Sequence, residues 1–202
     1  MFKVIVGPVK AGKSRALLQR CEDTYTRVRL FSAVNSQMGG QAIKSRNSDH
    51  TEESIPISKL SEVLHHIDYP TPVTTLLVDE VQFLEVTPEE LIYTLRALGK
   101  RHIDLIVYGL DMDYKGMPFM STATCMSMAD KVIKVHGHCD ICKTRESSMS
   151  LRMLNGKPVP LDDKVELVQL DGTGETTYLT VCRECFNKAY KYLGLDIIKK
   201  SC

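Results

Sequence analysis

The stretch GPVKAGKS, residues 7–14, follows directly on FKVIV and runs into SRALLQRCEDTY. A short run of β-branched and aromatic residues, a glycine-bracketed loop and a segment with apolar residues three and four apart read as strand, loop and helix in succession. The spacing G-x-x-x-x-G-K-S gives that loop a purpose. Its backbone N–H groups wrap phosphate oxygens, and the helix N-terminus adds a favourable dipole. Lys13 is placed to reach the outer phosphates, and Ser14 to offer its hydroxyl to Mg²⁺. Gly7, Pro8, Val9, Lys10, Ala11, Gly12, Lys13 and Ser14 are therefore the expected contacts of nucleotide phosphates.

The same alternation continues to about residue 135. VRLFSAV, TTLLVDE, HIDLIVYG and KVIKVH read as further strands, and SKLSEVLHHI and TPEELIYTLRALG as helices, with Ser58 and Thr87 as N-caps and Pro88 in the first turn. Strands alternating with helices predict an α/β fold with a parallel sheet flanked by helices, here as one domain over residues 1–135. Residues 36–54, polar and aperiodic, read as a flexible loop. A phosphate loop needs a second acidic group for its metal, and Asp79 at the end of TTLLVDE supplies it. Glu80, next in sequence, is then free to act as a base toward water or an alcohol; spacing does not choose between them.

Beyond residue 136 helical periodicity gives way to SMSLRML and TTYLTVC, separated by the turn-rich NGKP and LDGTGE. Of the seven cysteines, four form two Cys-x-x-Cys pairs, Cys139/Cys142 and Cys182/Cys185. Two pairs near hairpins have the spacing of a closed tetrahedral Zn²⁺ site, which is structural because no coordination position stays open. A redox role is the competing reading and is disfavoured, since neither pair heads a helix after a strand. His136 and His138 are expected to be bystanders, and His65 and His66 to face solvent. The second module is thus expected over residues 136–190, with a tail at 191–202.

Composition limits the partners. With 26 basic against 25 acidic side chains there is no global bias toward nucleic acid or a membrane surface. No apolar run approaches the roughly 18 residues of a membrane span, so a cytoplasmic protein is expected.

Three features stand together in one order: GPVKAGKS, DEVQF at 79–83 and YGLDMDYKGMPF at 108–119, followed by CDIC and CREC. In this combination the chain resembles the type II thymidine kinases from residue 1 to about 190. The resemblance implies a P-loop NTPase-like, RecA-like sheet with a zinc-ribbon-like β module carrying a lasso loop, a homotetramer, and a role in DNA precursor synthesis. It implies transfer of the γ-phosphoryl group of ATP to the 5′-hydroxyl of thymidine, with Mg²⁺ accompanying ATP. Glu80 is then the general base, and Asp79 and Gln82 join the phosphate loop in holding ATP and Mg²⁺. Phe83, Leu110, Tyr114 and Phe119 match the residues that line the base, and Tyr114 falls where phenylalanine is common. ESSMSLRM matches the entry to the lasso, Val168, Gln169, Leu170, Asp171 and Gly172 its base-reading backbone, and Tyr178 the tyrosine that completes the site. Zinc would pin both ends of that loop. Asn35, Ser36 and Gln37 stand where the family often has Asp-x-Arg, which implies altered donor contacts.

The main rival is a P-loop ATPase gripping nucleic acid through a zinc ribbon, with Glu80 activating water. Balanced charge and the lack of a basic, aromatic-interleaved strand pair in the cysteine module weigh against it. A regulatory protein without catalysis fits poorly with the complete set Lys13, Ser14, Asp79 and Glu80, and a monophosphate kinase poorly with the lack of an arginine-rich lid.

Overall fold

The computed structural model describes residues 1–22, 27–36, 39–44, 51–68, 72–161 and 176–191. These form strands β1 (Phe2–Val6), β2 (Val28–Ala33), β3 (Ala42–Lys44), β4 (Thr51–Glu53), β5 (Ile55–Ile57), β6 (Thr75–Asp79), β7 (Asp104–Gly109), β8 (Lys131–Lys134), β9 (Met149–Leu154), β10 (Lys157–Pro158) and β11 (Thr176–Val181). The helices are α1 (Lys13–Glu22), α2 (Pro88–Gly99), α3 (Met120–Met128) and α4 (Arg183–Lys191). The chain divides into two compact units. Residues 1–6, 12–111 and 118–135 form the first, and residues 7–11, 112–117 and 136–202 the second.

The first unit is built on a six-stranded sheet in the order β5-β2-β6-β7-β1-β8, with every pairing parallel. Alternate residues of its central strands enter different cores. Val4 and Val6, Leu76 and Val78, and Leu105 and Val107 face one core, where Leu60, Val63, Leu91, Leu98 and Cys125 cover them. Ile5, Leu77, Ile106 and Tyr108 face the other, covered by Leu17 and Leu18 of α1. Strands apolar on both faces are what a parallel sheet sandwiched between helices requires, each fully buried Leu or Ile contributing about 1.5–3 kcal/mol.

Local chemistry sets the helix starts. Thr87 caps α2, its Oγ1 accepting from Glu90 N at 3.3 Å, with Pro88 as the first helical residue. The segment predicted as a helix with Ser58 at its head is instead a 3-10 helix, Leu60–His66. It begins at Lys59, whose N–H donates to Glu62 Oε1 at 2.9 Å. His66 packs edge-on against Phe31 instead of facing solvent, while His65 is exposed. Residues 42–44 and 51–53, predicted as loop, pair as an antiparallel ladder, and Ile55–Ile57 joins the main sheet. Two elements were not predicted. Helix α3 buries only Thr122 and Cys125, whereas α4 begins between Cys182 and Cys185 directly after β11 and buries Cys185, Phe186 and Tyr190. The second cysteine pair therefore does head a helix after a strand, contrary to the expectation.

In the second unit β9 pairs with β10 and β11, all antiparallel. Asn155 and Gly156 both have positive φ, 51° and 72°, as a two-residue hairpin loop demands, and Asn-Gly is the dipeptide that tolerates it.

Candidate functional site

In the first unit the carboxyl end of β6 delivers Asp79 and Glu80. Asp79 is 4% exposed, and its carboxylate is held from two sides: Oδ2 accepts from Ser14 Oγ at 3.1 Å and Oδ1 from Glu80 N at 3.0 Å. Strand β7 lies between β6 and β1 in the sheet, yet the hydroxyl at the start of α1 reaches the carboxylate. Burial, and then the charge of Glu80, push the Asp79 carboxyl up to about 7, against the pull of the backbone N–H, the Ser14 hydroxyl and Lys13. A desolvated carboxylate beside a second one is a fitting seat for a divalent cation, because cation charge offsets both penalties. Ser14 and Asp79 are the residues that would hold Mg²⁺.

Glu80 adopts φ 57° and ψ 40°, a left-handed conformation costing a non-glycine residue about 1–3 kcal/mol and concentrated at functional positions. Its Oε2 accepts from Gln82 Nε2, and Gln82 Oε1 accepts from Leu110 N at 2.9 Å. Next to this array Phe83 and Phe119 meet edge to face, ring centroids 6.4 Å apart. Leu110, Phe83 and Phe119 are each half-buried, so apolar surface is left for a ligand.

The phosphate loop turns through Lys10 at φ 58° and Gly12 at φ 88°, the latter a conformation that suits glycine. Lys13 is buried at 8% exposure. Gly7–Ala11 belong to the second unit, and the contacts there are specific. Val9 N donates to Ser150 Oγ at 3.1 Å, and Lys10 Nζ to the carbonyl of Tyr178 at 2.5 Å. A Cβ at Gly137 would meet Ser147 Oγ at 3.3 Å and the Ala11 Cα at 3.6 Å.

Tyr114, Val159 and Tyr178 form a buried cluster in the second unit, with Val9 packed on it. The Arg152 guanidinium, itself buried, lies 5.2 Å from the centre of the Tyr114 ring. Residues 168–172, expected to read the base, and Gln37 lie outside the described residues.

The sulfurs of Cys139, Cys142, Cys182 and Cys185 all lie within 4.8 Å of one another. The N–H groups of Cys142 and Cys185 point at the first sulfur of their own pair, each at 3.5 Å. As thiols the four are unequal. Hydrogen bonds from the Thr144 side chain and backbone pull Cys142 down to about 6, whereas burial and then the neighbouring thiols push Cys185 up to about 12. A set this close and this hydrogen-bonded carries four negative charges only around a cation, and its chemistry suits zinc. Neither His136, exposed and bonded through Nδ1 to the Ser147 carbonyl at 2.8 Å, nor His138 joins it.

The thymidine kinase family model matches residues 1–186. This chain belongs to the thymidine kinase family. A thymidine kinase from Pseudothermotoga lettingae is 29% identical over 189 residues, 92% of this chain and 94% of that protein. Among solved structures, a DNA replication initiation factor overlaps 66% of this chain and 39% of its own, with TM-score 0.35 and 16% identity. A Pif1 helicase on forked DNA overlaps 67% and 39%, with TM-score 0.36 and 13% identity. Scores this low add nothing to the assignment.

Within this thymidine kinase family member, sequence reasoning assigned no individual role to Ser150, Arg152 or Gly109, the first two entering only as part of ESSMSLRM. A weak signal existed for the first two, because polar residues two apart in a strand share a face, and β9 carries Ser150 and Arg152 that way. Gly109 had none. Among the described residues no helix is long and apolar enough to cross a membrane.

Proposed function

We propose that the chain transfers the γ-phosphoryl group of ATP to the 5′-hydroxyl of thymidine, giving thymidine monophosphate and ADP. The bond from the 5′-oxygen to phosphorus forms as the bond to the β–γ bridging oxygen breaks, and the hydroxyl proton passes to Glu80. The observation that carries this reading is the array Ser14–Asp79–Glu80–Gln82: a buried metal-type carboxylate, touched by the phosphate-loop hydroxyl, directly beside a second carboxylate held in a strained conformation. Phosphoryl transfer needs positioning and charge stabilisation above all, and this array offers both.

Gly7–Ser14 are assigned to the ATP phosphates. Mg²⁺, when bound with ATP, would neutralise charge developing on the transferring group. In the first unit Phe83, Leu110 and Phe119 are assigned to the nucleoside; in the second, Tyr114, Tyr178 and residues 168–172 are. The cysteine cluster is assigned to structural zinc, the assembly to a homotetramer and the location to the cytoplasm. A zinc-ribbon ATPase acting on nucleic acid is not favoured, because the chain carries a net charge of only +1.

The test is a panel of nucleosides offered with ATP and Mg²⁺ to the purified chain, with product nucleotides resolved by chromatography and mass measured by light scattering. Thymidine monophosphate as the dominant product is expected. DNA-stimulated ATP hydrolysis without nucleoside phosphorylation overturns the reading.

A further inference from the structure

Gln82 is 7% exposed, and both ends of its amide are engaged inside the protein. The backbone N–H of Leu110 can only donate, so the group facing it at 2.9 Å must be Oε1, and the NH₂ group is thereby turned toward Glu80. That fixes which atom meets the carboxylate: Nε2 donates to Glu80 Oε2. Gly109 guards the same arrangement from the neighbouring strand. A Cβ there would come within 2.6 Å of Gln82 Oε1 and 2.7 Å of Val81 Cγ1. Its φ is not among the positive ones, so space around the amide, and not backbone conformation, is what calls for glycine at this position.

We infer that Gln82 is the positioning residue of the catalytic base, an inference that rests on the proposed thymidine phosphorylation. Glu80 leaves β6 through a left-handed residue, and a glutamate there has three side-chain torsions to settle. The amide of Gln82 removes that freedom by clamping Oε2 and is itself anchored, through Oε1, to the end of β7. Oε1 of Glu80 is left to take the proton of the acceptor hydroxyl. The amide thus ties the base to the backbone of Leu110, a residue assigned to the nucleoside, so base and acceptor share one reference point. Resemblance alone groups Gln82 with the ATP and Mg²⁺ contacts; an amide engaged at both ends within the protein points instead to the base.

The experiment is steady-state kinetics of ATP-dependent thymidine phosphorylation by the full chain, comparing wild type, Gln82→Met, Glu80→Gln and the double variant. Methionine keeps the bulk of the side chain and deletes both hydrogen bonds. The expected result is a kcat about 10- to 100-fold lower for Gln82→Met, the scale of a misplaced reacting group, with KM for ATP and thymidine within about twofold. In the Glu80→Gln background the same change should alter kcat by less than about twofold, because a residue acting through the base has nothing left to act on. A purely structural role would give the same factor in both backgrounds, and that outcome overturns the inference, as does a raised KM for ATP with kcat intact. Gln82→Glu is the second variant in case Gln82→Met folds poorly. It is isosteric, keeps the acceptor for Leu110 N and loses the donor to Glu80, so wild-type kcat in that protein also overturns the inference. A wild type that phosphorylates no thymidine sinks the functional reading and this role with it; an active wild type with equal losses in both backgrounds sinks the role of Gln82 alone.

Discussion

The Ser14 hydroxyl donates to Asp79 Oδ2 at 3.1 Å, joining the start of α1 to the end of a strand two places away in the sheet. A hydroxyl is a weak counterpart for a carboxylate that is 4% exposed and adjacent to Glu80, and burial with that neighbouring charge lifts Asp79 to about 7. Its folded-state value is therefore above the unfolded one of about 4, the reverse of the usual carboxylate case. The folded protein holds this proton more tightly, so the associated stability is present at low pH and is lost as pH rises from about 4 through 7. Asp79→Asn, in protein freed of divalent metal, should accordingly melt higher than wild type at pH 8, with the gap closing toward pH 4. Differential scanning fluorimetry across that range checks it, and a variant less stable at pH 8 would contradict the electrostatic account. The same variant should lose most Mg²⁺-dependent activity.

Glu80→Gln removes the proton acceptor while keeping shape and left-handed backbone demands nearly unchanged. The variant should bind ATP as wild type does and lose about 10²- to 10⁴-fold in kcat, the range of a general base. Calorimetric titration with a non-hydrolysable ATP analogue, alongside turnover, separates the two effects. Near-normal turnover would remove Glu80 from the proton transfer.

The four clustered sulfurs predict about one zinc per chain, retained through purification and lost slowly to chelators. Cys182→Ser removes a ligand and also the sulfur that accepts from Cys185 N at 3.5 Å. It should strip zinc and lower the melting temperature. Emission spectrometry on both proteins checks this; a zinc-free wild type with unaltered melting would refute the metal assignment.

What the sequence made legible was local. The phosphate loop, the ends of β1 and β6, the Thr87 cap and the two cysteine pairs depend on neighbours within a few residues, and each can be read from spacing. Helix α3 was not legible because only Thr122 and Cys125 of MSTATCMSM are buried, leaving no stripe to detect. The 3-10 helix at 60–66 has a helical pattern of apolar residues, and Lys59 with Glu62 fixes a start that Ser58 mimics in sequence. In the β3–β4 ladder Thr51, Glu52 and Glu53 are polar and Ile43 alone is a buried apolar anchor, so the pairing rests on backbone bonds that composition does not report. Gln82 shows the limit most clearly. Its partner Leu110 is distant in sequence, and no pattern within DEVQF says that its amide will be shared between a carboxylate and another strand.

Tyr114 supplies a test of packing free of catalysis. The residue is 2% exposed, its ring lies under Arg152, and its backbone carbonyl accepts from the Tyr190 hydroxyl at 3.5 Å. Its own hydroxyl has no hydrogen-bond partner among the described residues. A buried hydroxyl left unpaired carries a desolvation penalty of about 1–3 kcal/mol, whereas the ring beneath the guanidinium contributes whether or not the oxygen is present. Tyr114→Phe deletes the penalty and keeps the ring, so the nucleoside-free protein should be stabilised by about 1 kcal/mol, equivalent to about 2–4 °C in melting temperature for a chain of this size. Urea titration at neutral pH measures the change directly. A lower midpoint would mean that the hydroxyl is bonded in solution and that its oxygen, not the ring alone, holds the cluster of Val9, Val159 and Tyr178 together.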